Sequence, residues 1–128
     1  MVKKRIFSFF LLLPALFYLG CTENDDYQIQ QQSVSQIDSI WVTQSSVICS
    51  VLVWTPDPCW DFDHHTLKKE GNQYLISIYT RHDGSAICPC VVWSFSPRIS
   101  IPKPTPGDYL FRFWQSDSTS LDTLIKIN

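Results

Sequence analysis

An antiparallel β-sandwich of about seven or eight short strands is the fold class this sequence predicts, and three observations predict it. From about Ile37 onward, apolar residues recur with a period of two, the repeat that sends successive side chains to opposite faces of a strand. Clusters rich in Pro, Gly, Asn and Asp interrupt that repeat at short spacing. No long window carries the apolar repeat of a helix, so helices are not expected. The 128 residues suffice for one domain. With 45% hydrophobic, 14% aromatic and 17% charged residues, the chain has enough apolar surface to fold. A formal net charge of −2 lacks the basic excess that a nucleic-acid partner requires.

Residues 1–20 precede that pattern and read as an export signal. Lys3, Lys4 and Arg5 form a basic start, and the apolar run 6–19 is too short to cross about 30 Å of hydrocarbon as a helix. The run ends in Tyr18-Leu19-Gly20-Cys21, which resembles the lipobox of bacterial lipoproteins, with Tyr18 standing where that family usually carries Leu. The resemblance implies that the Cys21 thiol takes a diacylglycerol, that cleavage falls on its amino side, and that the acyl chains hold the protein to a membrane. Loss of the signal leaves seven basic residues against twelve acidic ones, a formal charge of −5. Residues 21–35 read as an acidic and Gln-rich tether between the anchor and a domain expected at 36–128. Its opening, Thr22-Glu23-Asn24-Asp25-Asp26, resembles the short tract that directs some Gram-negative lipoproteins to the outer face of the outer membrane, so a cell-surface location is expected.

Within the domain, segment 46–54 places Val47, Cys49, Val51 and Val53 on one face and Ile48, Leu52 and Trp54 on the other. Both faces are apolar, which predicts a central strand covered on both sides. Segment 73–80 sets Tyr74, Ile76 and Ile78 against Leu75, Ser77 and Tyr79, and segment 109–114 sets Tyr109, Phe111 and Phe113 against Leu110, Arg112 and Trp114. Leu121, Ile125 and Ile127 are in step on a closing strand. Turns are expected at Pro56-Asp57-Pro58, Glu70-Gly71-Asn72, His82-Asp83-Gly84, 102–107 and 115–120.

Two features resemble small immunoglobulin-like domains of secreted bacterial lipoproteins. One is Pro104-Thr105-Pro106-Gly107-Asp108-Tyr109, a Pro-Gly-x-Tyr approach to a late strand. The other is Pro58-Cys59 closing one strand, with Cys88 opening a segment that continues through Phe95, Ile99 and Ile101. The first implies a Tyr109 ring buried in the core with its hydroxyl on a backbone acceptor. Beyond Cys21 the chain has Cys49, Cys59, Cys88 and Cys90, and an even count in an exported domain reads as two disulfides. Three connectivities exist, and joining Cys88 to Cys90 would close a strained ring over one Pro. The resemblance implies a Cys59–Cys88 bridge, and Cys49 with Cys90 is then the second expected pair.

Metal and catalytic chemistry are not expected. Cys88-Pro89-Cys90 shares the chain with Asp61, Asp63, His64, His65 and His82, but one residue between paired Cys is fewer than structural zinc sites use. His64 and His65 are adjacent, so on a strand they face opposite ways. No Gly-x-Ser-x-Gly elbow, phosphate loop or dinucleotide fingerprint occurs, and Asp57, Asp61 and Asp63 lack the Gly and Glu of a calcium loop. The reading is therefore of a protein that is not an enzyme and needs no cofactor or metal.

The five Trp are the remaining candidates. Trp41, Trp54 and Trp114 read as core or rim residues, whereas Trp60 and Trp93 flank the cysteines, and the Cys59–Cys88 bridge that the resemblance implies would bring them to one end of the sandwich as ligand contacts. The expected function is a membrane-anchored binding or accessory module for an unidentified protein or glycan. A structural envelope lipoprotein packing on a partner is the alternative. So is an immunoglobulin-like protease inhibitor using loops 82–85 and 103–108.

Overall fold

Alternation of burial along the strands builds the core, as the sequence predicts, with Ser50 of the central strand buried out of step. The structure, a computed structural model, describes residues 28–84 and 87–128, so the expected export signal, Cys21 and the first part of the expected tether lie outside the described residues. Nine strands occur there: β1 (Gln28–Gln32), β2 (Val34–Val42), β3 (Ser46–Thr55), β4 (Trp60–Glu70), β5 (Gln73–His82), β6 (Trp93–Phe95), β7 (Arg98–Pro102), β8 (Gly107–Ser116) and β9 (Thr119–Ile127). One sheet runs β1-β5-β8-β9 with β4 on the other edge of β5, and the second runs β2-β3-β6 with β7 also on β3. Pairing is antiparallel except between β5 and β8, which run parallel from Gln73↔Leu110 to Ile76↔Phe113. The inner faces meet through Val47, Cys49, Val51 and Val53 of β3, Tyr74, Ile76 and Ile78 of β5, Ile99 and Ile101 of β7, and Tyr109, Phe111 and Phe113 of β8. The chain is an all-β sandwich.

Residues 28–35, expected in the tether, lie within or beside strands β1 and β2 of the fold. Residues 28–32 pair with β5 in antiparallel register from Gln28↔His82 to Gln32↔Ile78. Buried Gln32 donates its side-chain amide to Thr80 Oγ1 at 3.0 Å, and Val34 is fully enclosed in the core. A Gln-rich segment carries no apolar alternation, so its placement comes from backbone pairing along the half of the β5 edge that β8 leaves open. β4 is similarly silent in sequence because it is an edge strand. Asp61, His64, Thr66, Lys68, Lys69 and Glu70 face solvent along it, which protects an edge from pairing with other chains.

β3 is central, with β2 on one side and β6 and β7 on the other, but it is covered on one face only. Its outer-face Ile48 and Leu52 are half-buried and Trp54 is exposed, because no third layer lies over this sheet among the described residues. The turn chemistry follows the sequence closely. Gly71 adopts φ +58° in the two-residue loop joining β4 to β5, and the Tyr109 hydroxyl donates to Thr105 O at 2.7 Å.

Candidate functional site at one end of the sandwich

The period of two that fills the core runs on to the end of the sandwich, where it delivers polar groups. On β5 the inward series Tyr74, Ile76, Ile78 and Thr80 continues to His82, and on β3 the inward series continues through Val53 to Thr55. Beyond β3 the chain turns through Pro56-Asp57-Pro58. Thr55 Oγ1 donates to Asp57 O at 2.8 Å, and Asp57 Oδ1 accepts the Cys59 N–H at 2.9 Å, an Asx-type turn that holds the carboxylate inward. Asp57 is 5% exposed and His82 7%. His82 Nε2 stands 3.6 Å from Asp57 Oδ1, within ion-pair reach.

The Cys59–Cys88 disulfide closes over this pair, with Cα atoms 5.9 Å apart and the two residues 29 positions apart in sequence. Closing a loop of that length stabilises the fold by roughly 3–4 kcal/mol through the entropy it removes from the unfolded chain. Cys88 Sγ lies 3.1 Å from Asp57 Oδ1, and a disulfide sulfur has no proton to give that carboxylate. Asp57, Cys59, His82 and Cys88 thus bring their oxygen, nitrogen and sulfur atoms within 4.8 Å of one another.

The second expected disulfide does not form. Cys49 is a free, buried thiol at the centre of β3, opposite Ile99 and Ile40, and burial pushes it up to about 12. Cys90 is exposed in the 87–92 loop and is not free. An inward position halfway along a core strand does not meet a loop at the end of the sandwich, which is why even-number counting fails for Cys49.

Outside the disulfide lies a cleft of about 420 Å³ lined by Pro58, Cys59, Trp60, Asp61, Arg81, Asp83, Trp93 and Phe95. The two Trp expected near one end do meet there, in different roles. Trp60 opens β4 instead of lying in an exposed loop; it is 8% exposed and tilts over His82 with ring centroids 5.0 Å apart. Trp93 is 51% exposed, and its pairing with Thr55 puts it on the inward-facing side of β6 at the mouth of the cleft. Beside it, Ile87, Val91 and Val92 are exposed, as is Trp54, one position along the same strand pair. That apolar exposure was not anticipated, although the run Cys90-Val91-Val92-Trp93 is legible in the sequence.

The other histidines serve elsewhere. His64 pairs with Asp63 and stacks on Tyr79 with ring centroids 4.5 Å apart and planes 1° from parallel. His65 is held below the ordinary histidine range by burial and then by the neighbouring His64. A second groove, of about 450 Å³ between β4, β5, β8 and the β8–β9 turn, contains Arg112, whose guanidinium is engaged by Asp122 and Ser120, both at 3.3 Å.

No curated protein and no solved structure matches the chain. Residues 49–121 match the ORF11 beta-sandwich domain, a span that runs from Cys49 into β9 and contains every residue of the cleft. With more than half of its length matched, the chain belongs to the ORF11 beta-sandwich domain family.

Proposed function

We propose that this protein is a non-enzymatic binding module, exported and held to the outer membrane by acylation of Cys21, that contacts a protein partner through the sandwich end formed by the cleft and the 87–93 segment. One observation carries the contact site. Ile87, Val91, Val92 and Trp93 stand exposed in a single short segment that the Cys59–Cys88 bridge pins to the fold. Clustered exposed apolar side chains around a rigid aromatic mark contact surfaces, and preordering by the bridge lowers the entropy lost on association. Anchoring is supported by the ordered basic start, apolar run and Gly20-Cys21 of the sequence.

The test is co-purification from detergent-solubilised native membranes, comparing wild type with Trp93→Ala and Val92→Ser. Neither residue is buried, so both variants should melt as wild type does while losing one discrete partner. Undiminished recovery of the same partner would overturn the assignment of the site. Metabolic labelling with palmitate should mark wild type and not Cys21→Ala; equal labelling of both would overturn the anchor. A glycan is the second reading, favoured by Trp93 standing in a cleft with Asp61, Arg81 and Asp83. Glycan-array binding that Trp93→Ala abolishes would support it against the first.

A further inference from the structure

We infer that Asp57, Cys59, His82 and Cys88 form a redox-gated Zn²⁺ site, closed as a disulfide and competent for metal when reduced. A disulfide alone needs no carboxylate or imidazole beside it, yet both accompany this one at the end of the core, each more than nine-tenths buried. Burying such groups costs free energy unless partners offset it. Among the described residues Asp57 Oδ1 accepts one backbone N–H and lies 3.1 Å from Cys88 Sγ, and its distance to His82 exceeds a good hydrogen bond. Two sulfurs, one imidazole nitrogen and one carboxylate oxygen are a ligand set suited to four-coordinate Zn²⁺.

The geometry requires little movement. All four ligand atoms lie within 4.8 Å of one another. A tetrahedral ion with Zn–S bonds of about 2.3 Å holds its sulfurs about 3.8 Å apart, so cleaving the disulfide and letting the sulfurs relax apart opens the space an ion needs. The Asx turn at Asp57 and the β5 position of His82 already fix the other two ligands.

The chemistry balances in two steps. An external dithiol reduces the bridge by thiol–disulfide exchange; it gives up two electrons and two protons and leaves as its own disulfide, while Cys59 and Cys88 become thiols. Zn²⁺ then displaces one proton from each thiol and is held by two thiolates, His82 and Asp57, with two protons released to solvent. In the oxidised form neither sulfur is a thiolate, so the site does not bind the ion.

The purified full-length protein tests this directly, with Co²⁺ as a spectroscopic probe and Zn²⁺ alone as competitor. A phosphine serves as reductant, since it takes its oxygen from water and leaves no competing thiol. Reduced wild type should show tetrahedral cobalt bands and thiolate charge transfer at about one equivalent, bleached by Zn²⁺, while the oxidised protein shows neither. Reduced Asp57→Asn and His82→Gln, checked by circular dichroism for retained strand content, should bind roughly tenfold more weakly or worse. In wild type, Zn²⁺ should also slow alkylation of Cys59 and Cys88, a readout that needs no variant to fold. Absence of the tetrahedral bands in reduced wild type, unchanged affinity in both folded variants, or alkylation indifferent to Zn²⁺ would each overturn the proposal.

Discussion

Single residues decide more here than their number indicates. Tyr109 is 4% exposed, packs at 5.7 Å between ring centroids from Tyr74, and fixes the 103–106 approach to β8 through its bond to Thr105 O. Tyr109→Phe keeps the ring and removes that bond, and should lower unfolding free energy by about 1 kcal/mol in a urea titration. The Pro-Gly-x-Tyr spacing made this residue legible, because a large ring after a turn has one polar atom to place. Cys49 was not legible, because a buried free Cys and a half-cystine occupy the same apolar positions of a strand. Its thiol should resist alkylation in the native protein and react once denaturant is added; modification at the native-state rate of an exposed thiol would contradict its place in β3. His65 adds a pH dependence with a definite sign. Its folded value lies below the ordinary 6.5, so the unfolded chain binds the proton first, and the contribution of this residue is complete above that value and lost as pH falls below it. His65→Gln should flatten the decline in thermal midpoint across that window.

Elements divide by how much of their information is carried in side chains. β3, β5 and β8 alternate large apolar residues against smaller or polar ones and were readable to within a few residues. β1 and β4 were not, since an edge or Gln-rich strand is specified by the unpaired backbone of its neighbour, which no single-sequence pattern shows. The β4–β5 turn belongs with the readable features. Gly71 adopts φ +58°, and a Cβ there would meet nothing within 4 Å, so Gly71→Ala tests backbone conformation without a clash. It should cost about 1 kcal/mol, whereas Gly71→Asn should cost less, because Asn tolerates left-handed backbone better than Ala. Equal losses for the two would show that the turn relaxes to another type.

For the whole molecule, the sandwich separates a dry apolar core from one end where polar, sulfur and aromatic groups gather. Period-two patterning foretold the core, and the Cys59–Cys88 bridge implied by the family resemblance brought Trp60 and Trp93 to one end; neither reached the His82–Asp57 contact, because His82 reads locally as part of a His-Asp-Gly turn. What makes that end distinctive is tertiary: strand ends from both sheets converge under one disulfide, with an exposed apolar segment beside it. The partner contact proposed above lies at this end. Site-specific photocrosslinking in intact cells tests it most directly, with the photoreactive residue placed at position 93 or, for comparison, at position 124 on β9, where Leu124 is 75% exposed. A discrete adduct from position 93 and none from position 124 is the predicted result; the same adduct from both positions, or an adduct from position 124 alone, would contradict it.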